Sequence, residues 1–192
     1  MSKGQNMEQL MEIDLNTGLI SPARWQPSPN YDARPCNTDI NLLVIHGISL
    51  PPGVFGTQDI PDFFCNNLNI SLHPYFQEIA DLRVSAHLFI CRQGILWQFV
   101  SFDDRAWHAG RSVFQGREDC NDYSIGIELE GTDSLAYTPA QYAQLTLVTR
   151  CLMKAYPQIT LDRIVGHSEI APGRKTDPGE SFDWNSYRSN LI

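Results

Sequence analysis

The sequence predicts an α/β or α+β fold, in which one domain has a central mixed β-sheet of about five strands flanked by helices. Three observations support this class. The chain has 192 residues, a length that suits a single hydrophobic core. Short apolar segments typical of strands occur in the same chain as a strongly periodic helix, which favours a sheet covered by helices. No repeat, low-complexity tract or linker divides the chain.

Five segments are predicted to be β-strands, because each is a short apolar or alternating run bounded by turn-forming residues. In chain order they are Asn41–His46, Val84–Cys91, Ile95–Val100, Ser124–Glu130 and Arg163–His167. The second and third are joined by a short turn that ends in Gly94, so we expect them to form a hairpin. In Ser124–Glu130 one face carries the apolar residues and the other carries Glu128 and Glu130.

The clearest helix is predicted over Pro139–Tyr156. Thr138 is a suitable N-cap, and Gln141 at the third helical position completes a capping box. Pro139 fits the first helical position. Apolar residues recur at three- and four-residue spacing, so one face should pack on the core. A second, shorter helix is predicted over Pro61–Asn67.

Composition and charge narrow the possible functions. Hydrophobic residues make up 42% of the chain and charged residues 19%, as in ordinary globular proteins. The formal charge is −8 without a long run of either sign. This argues against nucleic acid as a partner, because phosphate binding needs clustered lysine and arginine. No segment approaches the roughly 18 apolar residues that span a bilayer, so we expect no membrane partner.

The protein is expected to be cytoplasmic. Residues 1–20 carry four charged side chains and lack the apolar core of a secretory signal. The five cysteines have no C-x-x-C spacing, so free thiols in a reducing compartment are the simplest interpretation.

Three residues form a candidate metal site: His46, His167 and Asp177. Each histidine ends an apolar run, and the aspartate lies in a loop rich in proline and glycine. Two neutral imidazoles and one carboxylate leave the fourth tetrahedral position for water, which is the pattern of a catalytic zinc site. His87 and His108 are further potential ligands that residue type alone does not exclude.

Zinc held in this way lowers the pKa of bound water to about 7 and polarises a carbonyl oxygen, which predicts hydrolysis of an amide or ester. Glu128 is the candidate proton acceptor, because it lies in an otherwise apolar strand where burial raises a carboxyl pKa. The alternatives are a surface-facing Glu128, or Glu130 in the same role. Lys175 is positioned to place an ammonium near an oxyanion, unless it is a solvated loop lysine.

Five motifs in order along the chain resemble a known family. They are Leu43–His46, Arg83–His87, Arg105–Gly110, Cys120–Gly131 and Gly166–Gly179. Together they resemble the zinc N-acetylmuramoyl-L-alanine amidases of the peptidoglycan-recognition-protein type, from about Pro27 to Trp184. The resemblance implies that residues 27–192 form the zinc amidase domain. It makes residues 1–26 an N-terminal extension that packs on this domain or leads into it.

The same resemblance assigns roles to the candidate residues. It makes His46, His167 and Asp177 the zinc ligands, Glu128 the proton acceptor and Lys175 the transition-state stabiliser. It implies cleavage of the amide between the lactyl group of 1,6-anhydro-muramic acid and L-alanine. The substrate would be a small soluble muropeptide released during cell-wall recycling, and its removal would influence β-lactamase induction. We expect the protein to be a monomer.

Substrate contacts are predicted at five residues: Tyr75, Arg83, Trp107, His108 and Arg174. Arg83 suits a stem-peptide carboxylate, and the aromatic side chains suit a sugar or peptide. Two residues depart from the family pattern. Gly47 stands where asparagine is usual, and Asp119 where a second arginine is usual.

Two other functions would use the same fold. One is a non-catalytic peptidoglycan-binding protein, which would lack a full ligand set. The other is a lytic amidase that acts on polymeric cell wall, for which no wall-binding module is visible in the sequence.

Overall fold

The computed structural model describes residues 11–36 and 38–192. Its strands are β1 (Glu12–Asp14), β2 (Leu19–Ser21), β3 (Arg24–Trp25), β4 (Tyr31–Ala33), β5 (Leu42–Ile48), β6 (Leu88–Ile90), β7 (Leu96–Gln98), β8 (Asp104–Ala106), β9 (Val113–Phe114), β10 (Arg117–Glu118), β11 (Ser124–Glu130) and β12 (Ile164–Gly166). Its helices are α1 (Asp59–Phe64), α2 (Pro74–Glu78), α3 (Pro139–Ala155), α4 (His167–Ile170) and α5 (Trp184–Ser189), and short 3₁₀ turns cover Cys120–Asp122 and Leu161–Arg163.

A six-stranded mixed sheet lies at the centre, in the order β12-β5-β11-β6-β7-β3. The first four strands of this order are parallel to one another, β7 is antiparallel to β6, and β3 is parallel to β7. Helices cover both faces: α3 packs on one side, and α1 and α2 pack on the other. The predicted class, a single domain built on a mixed sheet with flanking helices, is confirmed.

The core is built on β5 and α3. Leu43 and Ile45 belong to the cluster beneath α3, whereas Leu42 and Val44 belong to a cluster on the opposite face. All four are fully buried, because a central parallel strand is covered on both sides. The predicted capping box of α3 is confirmed, with Thr138 as N-cap.

Several predicted boundaries were wrong. The hairpin strands are shorter than expected, because the backbone just before β6 bonds elsewhere: the Ser85 N–H donates to Trp107 O at 3.1 Å. His167 begins α4 instead of ending a strand. The shorter helix, α1, ends at Phe64, because Asn66 has a φ of 60° that a right-handed helix cannot continue.

The parallel strands bring their carboxyl ends to one edge of the sheet. Glu128 of β11 is the register partner of His46 of β5, and β12 ends directly before His167. Side chains alternate along a strand, so Ser124, Gly126 and Glu128 lie on the face of β11 away from α3. Ligands of parallel sheets commonly bind at this edge.

The segment before residue 27 contributes to the same core. Ile13 of β1 and Ile20 of β2 pack in the cluster beneath α3, and β3 is the last strand of the sheet. The division into an extension (1–26) and a domain (27–192) stays a prediction, and residues 1–10 of it lie outside the described part. Across residues 11–36 and 38–192, no helix has the length and apolar character needed to cross a bilayer.

Candidate active site

The three predicted metal ligands come together at the carboxyl edge of the sheet. His46 Nδ1 lies 3.0 Å from His167 Nδ1 and 3.3 Å from Asp177 Oδ2. His167 Nδ1 lies 3.0 Å from the same carboxylate oxygen. His46 is near the end of β5, His167 starts α4, and Asp177 lies in the loop after α4. The Ser168 N–H donates to the Asp177 carbonyl at 3.0 Å, which holds this loop against the start of the helix.

The spacing and protonation of these donors fit a metal ion. Ligand atoms about 2.0–2.1 Å from a tetrahedral zinc lie about 3.3 Å from one another, which is close to the observed separations. His167 Nε2 lies 3.1 Å from Ala109 O, and a carbonyl only accepts, so Nε2 carries the proton and Nδ1 presents a lone pair. That lone pair faces Asp177 Oδ2 with no proton between them. A cation between these atoms would stabilise the arrangement.

Burial and contact keep two of the candidate ligands in the forms that bind a metal. The His46 side chain is 1% exposed, and burial lowers its pKa to about 4, so the imidazole is neutral at neutral pH. Burial alone would raise the pKa of Asp177. Contacts with the imidazoles of His167 and His46 outweigh burial and hold this pKa well below its usual range. Neutral imidazole and ionised carboxylate are the forms that bind a metal.

Strand pairing places Glu128 beside the candidate ligands. Its Oε1 lies 4.0 Å from His46 Nδ1, and its side chain is 12% exposed. Its Oε2 is buried and has no hydrogen-bond partner within the described residues. Burial, and then the negative charge of Asp177, raise the Glu128 pKa well above its ordinary value. A carboxylate with an unpaired oxygen at such a site can accept a proton from a reacting group.

Glu130, the competing candidate for the proton acceptor, is engaged by backbone. It is 1% exposed, its Oε1 accepts from the Gly56 N–H at 2.5 Å, and its Oε2 accepts from the Arg92 N–H at 2.9 Å. These bonds attach the loop before α1 and the β6–β7 turn to β11. Both carboxylate oxygens of Glu130 therefore accept backbone hydrogen bonds, whereas Oε2 of Glu128 has no partner among the described residues.

The site opens into a cleft of about 630 Å³, a volume that suits a small ligand. Glu128, Asp177 and the exposed Lys175 line it together. Tyr75 and Trp107, two of the predicted substrate contacts, line it as well. The indole Nε1 of Trp107 is buried and has no partner among the described residues.

The guanidinium groups of two other predicted substrate contacts donate hydrogen bonds to carbonyl oxygens of loops. Arg83 donates to two carbonyl oxygens just after α2, at 2.9 and 3.0 Å, and does not line the cleft. Arg174 donates to Ala109 O at 2.6 Å and to Arg111 O at 2.8 Å, and it lines a second cavity. Their contact with substrate stays a prediction. Asp119, which replaces an expected arginine, lines the same second cavity as Arg174.

His108 lines the cleft, but both of its ring nitrogens have partners inside the protein. Nδ1 lies 2.9 Å from His46 Nε2, and Nε2 lies 3.1 Å from Ser124 Oγ. The ring of His87 lies behind it, with centroids 5.7 Å apart. Within the described residues, the group of side chains that could hold a metal ion is the original trio and includes neither of these histidines.

Sequence reasoning missed Tyr137. Its hydroxyl donates at 2.9 Å to the carbonyl oxygen of Pro178, the residue directly after the candidate ligand Asp177. A Cβ at Gly47 would collide with this hydroxyl, and a Cβ at Gly131 would collide with the ring. Any side chain at Gly47, the expected asparagine included, would therefore have to displace this tyrosine. The sequence signal that could have pointed to this site was the pair of glycines, Gly47 directly after His46 and Gly131 directly after β11.

Three protein donors beside an unpaired carboxylate are the set with which metallohydrolases activate water. Sequence comparison defines the class further. The N-acetylmuramoyl-L-alanine amidase family model matches residues 37–180, so the chain belongs to this family and is an amidase hydrolase.

Named relatives extend the match over nearly the whole chain. The 1,6-anhydro-N-acetylmuramyl-L-alanine amidase AmpD of Haemophilus influenzae is 54% identical over 178 residues, which are 93% of this chain and 97% of that protein. A crystal structure of an AmpD selenomethionine derivative has a TM-score of 0.91 at 55% identity and covers 95% of this chain and 100% of that one. The amidase AmiD of Escherichia coli, in complex with the substrate anhydro-N-acetylmuramic acid-L-Ala-D-gamma-Glu-L-Lys, has a TM-score of 0.61 at 28% identity. That match covers 96% of this chain and 67% of AmiD.

Proposed function

We propose that this chain is a zinc-dependent amidase that hydrolyses the bond between the lactyl group and L-alanine in soluble 1,6-anhydro-muropeptides. One observation carries the proposal: the donor atoms of His46, His167 and Asp177 face one point, next to the unpaired Oε2 of Glu128, at the foot of an open cleft. The named relatives support the substrate class, because AmpD is described as a 1,6-anhydro-N-acetylmuramyl-L-alanine amidase.

His46, His167 and Asp177 would hold the ion. When bound, zinc supplies Lewis acidity that polarises the scissile carbonyl and acidifies water. Zinc fits better than magnesium or calcium, because two of the three donors are imidazole nitrogens.

The protein residues divide the remaining work of hydrolysis. Glu128 accepts a proton at Oε2 from the attacking water and delivers it to the nitrogen of the leaving L-alanine. Lys175 places a positive charge near the oxygen that becomes negative as water adds to the carbonyl. The C–N bond then breaks, which leaves a lactyl carboxylate on the sugar and a free amino group on the peptide. Tyr75 and Trp107 give aromatic surfaces to the substrate along the cleft.

We further propose that the protein acts in the cytoplasm as a monomer during cell-wall recycling. The small volume of the cleft supports a soluble fragment as substrate. In this proposal, residues 27–192 form the amidase domain, and turnover lowers the level of muropeptides that induce β-lactamase.

Mass spectrometry of products tests the proposal. Purified 1,6-anhydro-muropeptide should yield free stem peptide and anhydro-sugar in the presence of the protein, and a chelator should stop the release. Polymeric sacculi, tested in parallel by turbidity, should clear far more slowly than the soluble substrate turns over. Rapid clearing of sacculi with little turnover of the soluble fragment would favour a wall-lytic amidase instead.

A further inference from the structure

A buried chain of hydrogen bonds leads away from the metal site through His46. His46 Nε2 lies 2.9 Å from His108 Nδ1, and His108 Nε2 lies 3.1 Å from Ser124 Oγ. The Ser124 hydroxyl in turn lies 2.5 Å from the Cys120 carbonyl oxygen. His46 and Ser124 are fully buried, and His108 is 8% exposed.

The Cys120 carbonyl, at the end of this series of hydrogen bonds, determines where each proton in the series lies. A carbonyl oxygen only accepts, so the Ser124 hydroxyl donates to Cys120 O and its own oxygen accepts from His108 Nε2–H. A neutral His108 then has an unprotonated Nδ1, which accepts from His46 Nε2–H. A neutral His46 is left with its lone pair on Nδ1, the atom that faces His167 and Asp177.

We propose that His108 and Ser124 are positioning residues that fix the tautomer of the ligand His46 and thereby direct its Nδ1 lone pair to the metal. The inference rests on the proposed metal site and assigns a role to residues that do not bind the ion. His167 has the equivalent support from a backbone carbonyl, that of Ala109. Among residues 11–36 and 38–192, no carbonyl accepts from His46 Nε2, and His108 with Ser124 provides the support instead.

The surrounding structure holds the His108 ring in this position. Asn121 Oδ1 accepts from the His108 N–H at 3.1 Å and from the Ala109 N–H at 2.7 Å, which fixes the backbone. The ring lies over Gly126, where a Cβ would collide with it. The absence of a side chain at Gly126, on the same strand face as Glu128, is thus explained by the imidazole above it.

Zinc affinity of full-length variants tests the proposal without relying on activity. His108→Leu removes the acceptor for His46 Nε2–H and should raise the zinc dissociation constant by about 10- to 100-fold in chelator competition. His108→Asn keeps an oxygen acceptor near the position of Nδ1 and should recover most of that loss. Ser124→Ala, which removes only the outer partner, should give a smaller increase.

Thr149→Val is the matched control. It removes another buried hydroxyl, which lies 2.6 Å from Tyr187 Oη in the core beneath α3, and it should leave zinc affinity unchanged. Equal losses in Thr149→Val and His108→Leu would mean that zinc binding follows general stability, and the proposal would be wrong.

Nitrogen-15 NMR of the unmodified, zinc-loaded chain provides a second readout that does not depend on the folding of any variant. The expected spectrum has His108 protonated on Nε2 and unprotonated on Nδ1. A proton on His108 Nδ1 would overturn the inference. If the unmodified chain bound no zinc, the proposed function would fail with it, whereas unchanged affinity in His108→Leu would remove only the role of His108.

Discussion

Glu128 and His46 are register partners on adjacent parallel strands, and Glu128 Oε1 lies 4.0 Å from His46 Nδ1. The proposed base and the first proposed ligand are therefore placed by backbone hydrogen bonds of the sheet and not by a flexible loop. The other two proposed ligands enter from α4 and the loop behind it. A site assembled on the ends of strands is held more rigidly than one built from loops alone.

Glu128→Gln should abolish turnover while zinc stays bound. The amide has nearly the same shape as the carboxylate but cannot accept the proton, so a loss of about 10²- to 10⁴-fold in kcat is expected. Steady-state kinetics and metal analysis of the same sample check this. Glu130→Gln is the control on the same strand: it weakens bonds to Gly56 and Arg92 and should lower the free energy of unfolding while most turnover remains. Loss of zinc from Glu128→Gln would make Glu128 a ligand or a structural residue.

Lys175→Met should lower kcat by about 10²-fold and leave zinc content unchanged, if its ammonium stabilises the oxyanion. Methionine keeps much of the side-chain length and removes the charge. Lys154→Met, at the exposed end of α3, is the matched control and should behave like the unmodified chain. Unchanged kcat in Lys175→Met would return this residue to the class of solvated loop lysines.

Gly47→Asn should destabilise the protein, because the Tyr137 hydroxyl occupies the place of the new Cβ. Overpacking of this kind costs about 1–3 kcal/mol of unfolding free energy. In a Tyr137→Phe background the collision is relieved, so the same substitution should cost less. Urea unfolding of the four proteins gives the coupling energy. An equal cost in both backgrounds would show that contact with the Tyr137 hydroxyl is not the source of the destabilisation.

The stability of the protein should fall as pH drops below about 6.5, the ordinary pKa of histidine, and His87 should account for part of that loss. Burial, and then the positive charge of Arg34, hold the pKa of His87 well below its usual value. The imidazole of His46 lowers it further, and the ring of His108 lies 5.7 Å away. The unfolded chain therefore binds a proton that the folded chain does not, which costs about 1.4 kcal/mol per pH unit.

The variant His87→Asn isolates this contribution. Asparagine keeps an acceptor for the Gly126 N–H, which His87 Nδ1 accepts at 3.1 Å, but it does not titrate. The free energy of unfolding, measured in urea at pH 7.5 and 5.5, should change less in the variant than in the unmodified chain. The same pH dependence in both proteins would exclude His87 as the source.

Local patterns predicted the parts of the fold that depend on local chemistry. The capping box of α3 was predictable from Thr138 and Gln141, because each satisfies a backbone group of the other at the start of the same helix. The approach of His46 to His167 was predictable because imidazoles at the ends of two apolar runs are carried to one sheet edge by parallel pairing.

Other features depend on contacts between distant segments and could not be predicted from sequence. The hairpin strands were predicted too long, since the backbone just before β6 bonds to the segment that carries Trp107. The guanidinium groups of Arg83 and Arg174 bind loop carbonyls, and their residue types alone do not distinguish this from substrate binding. The positions of His108 over Gly126 and of Tyr137 against Gly47 likewise require the folded structure.

The most direct measurement is the turnover of purified 1,6-anhydro-muropeptide while zinc is returned stepwise to chelator-treated protein, with Asp177→Ala beside it. We expect turnover to rise in proportion to bound zinc and to level off at about one ion per chain. Asp177→Ala should neither retain the ion nor release peptide. Full turnover by the zinc-free chain, or by Asp177→Ala, would show that His46, His167 and Asp177 do not hold a catalytic metal.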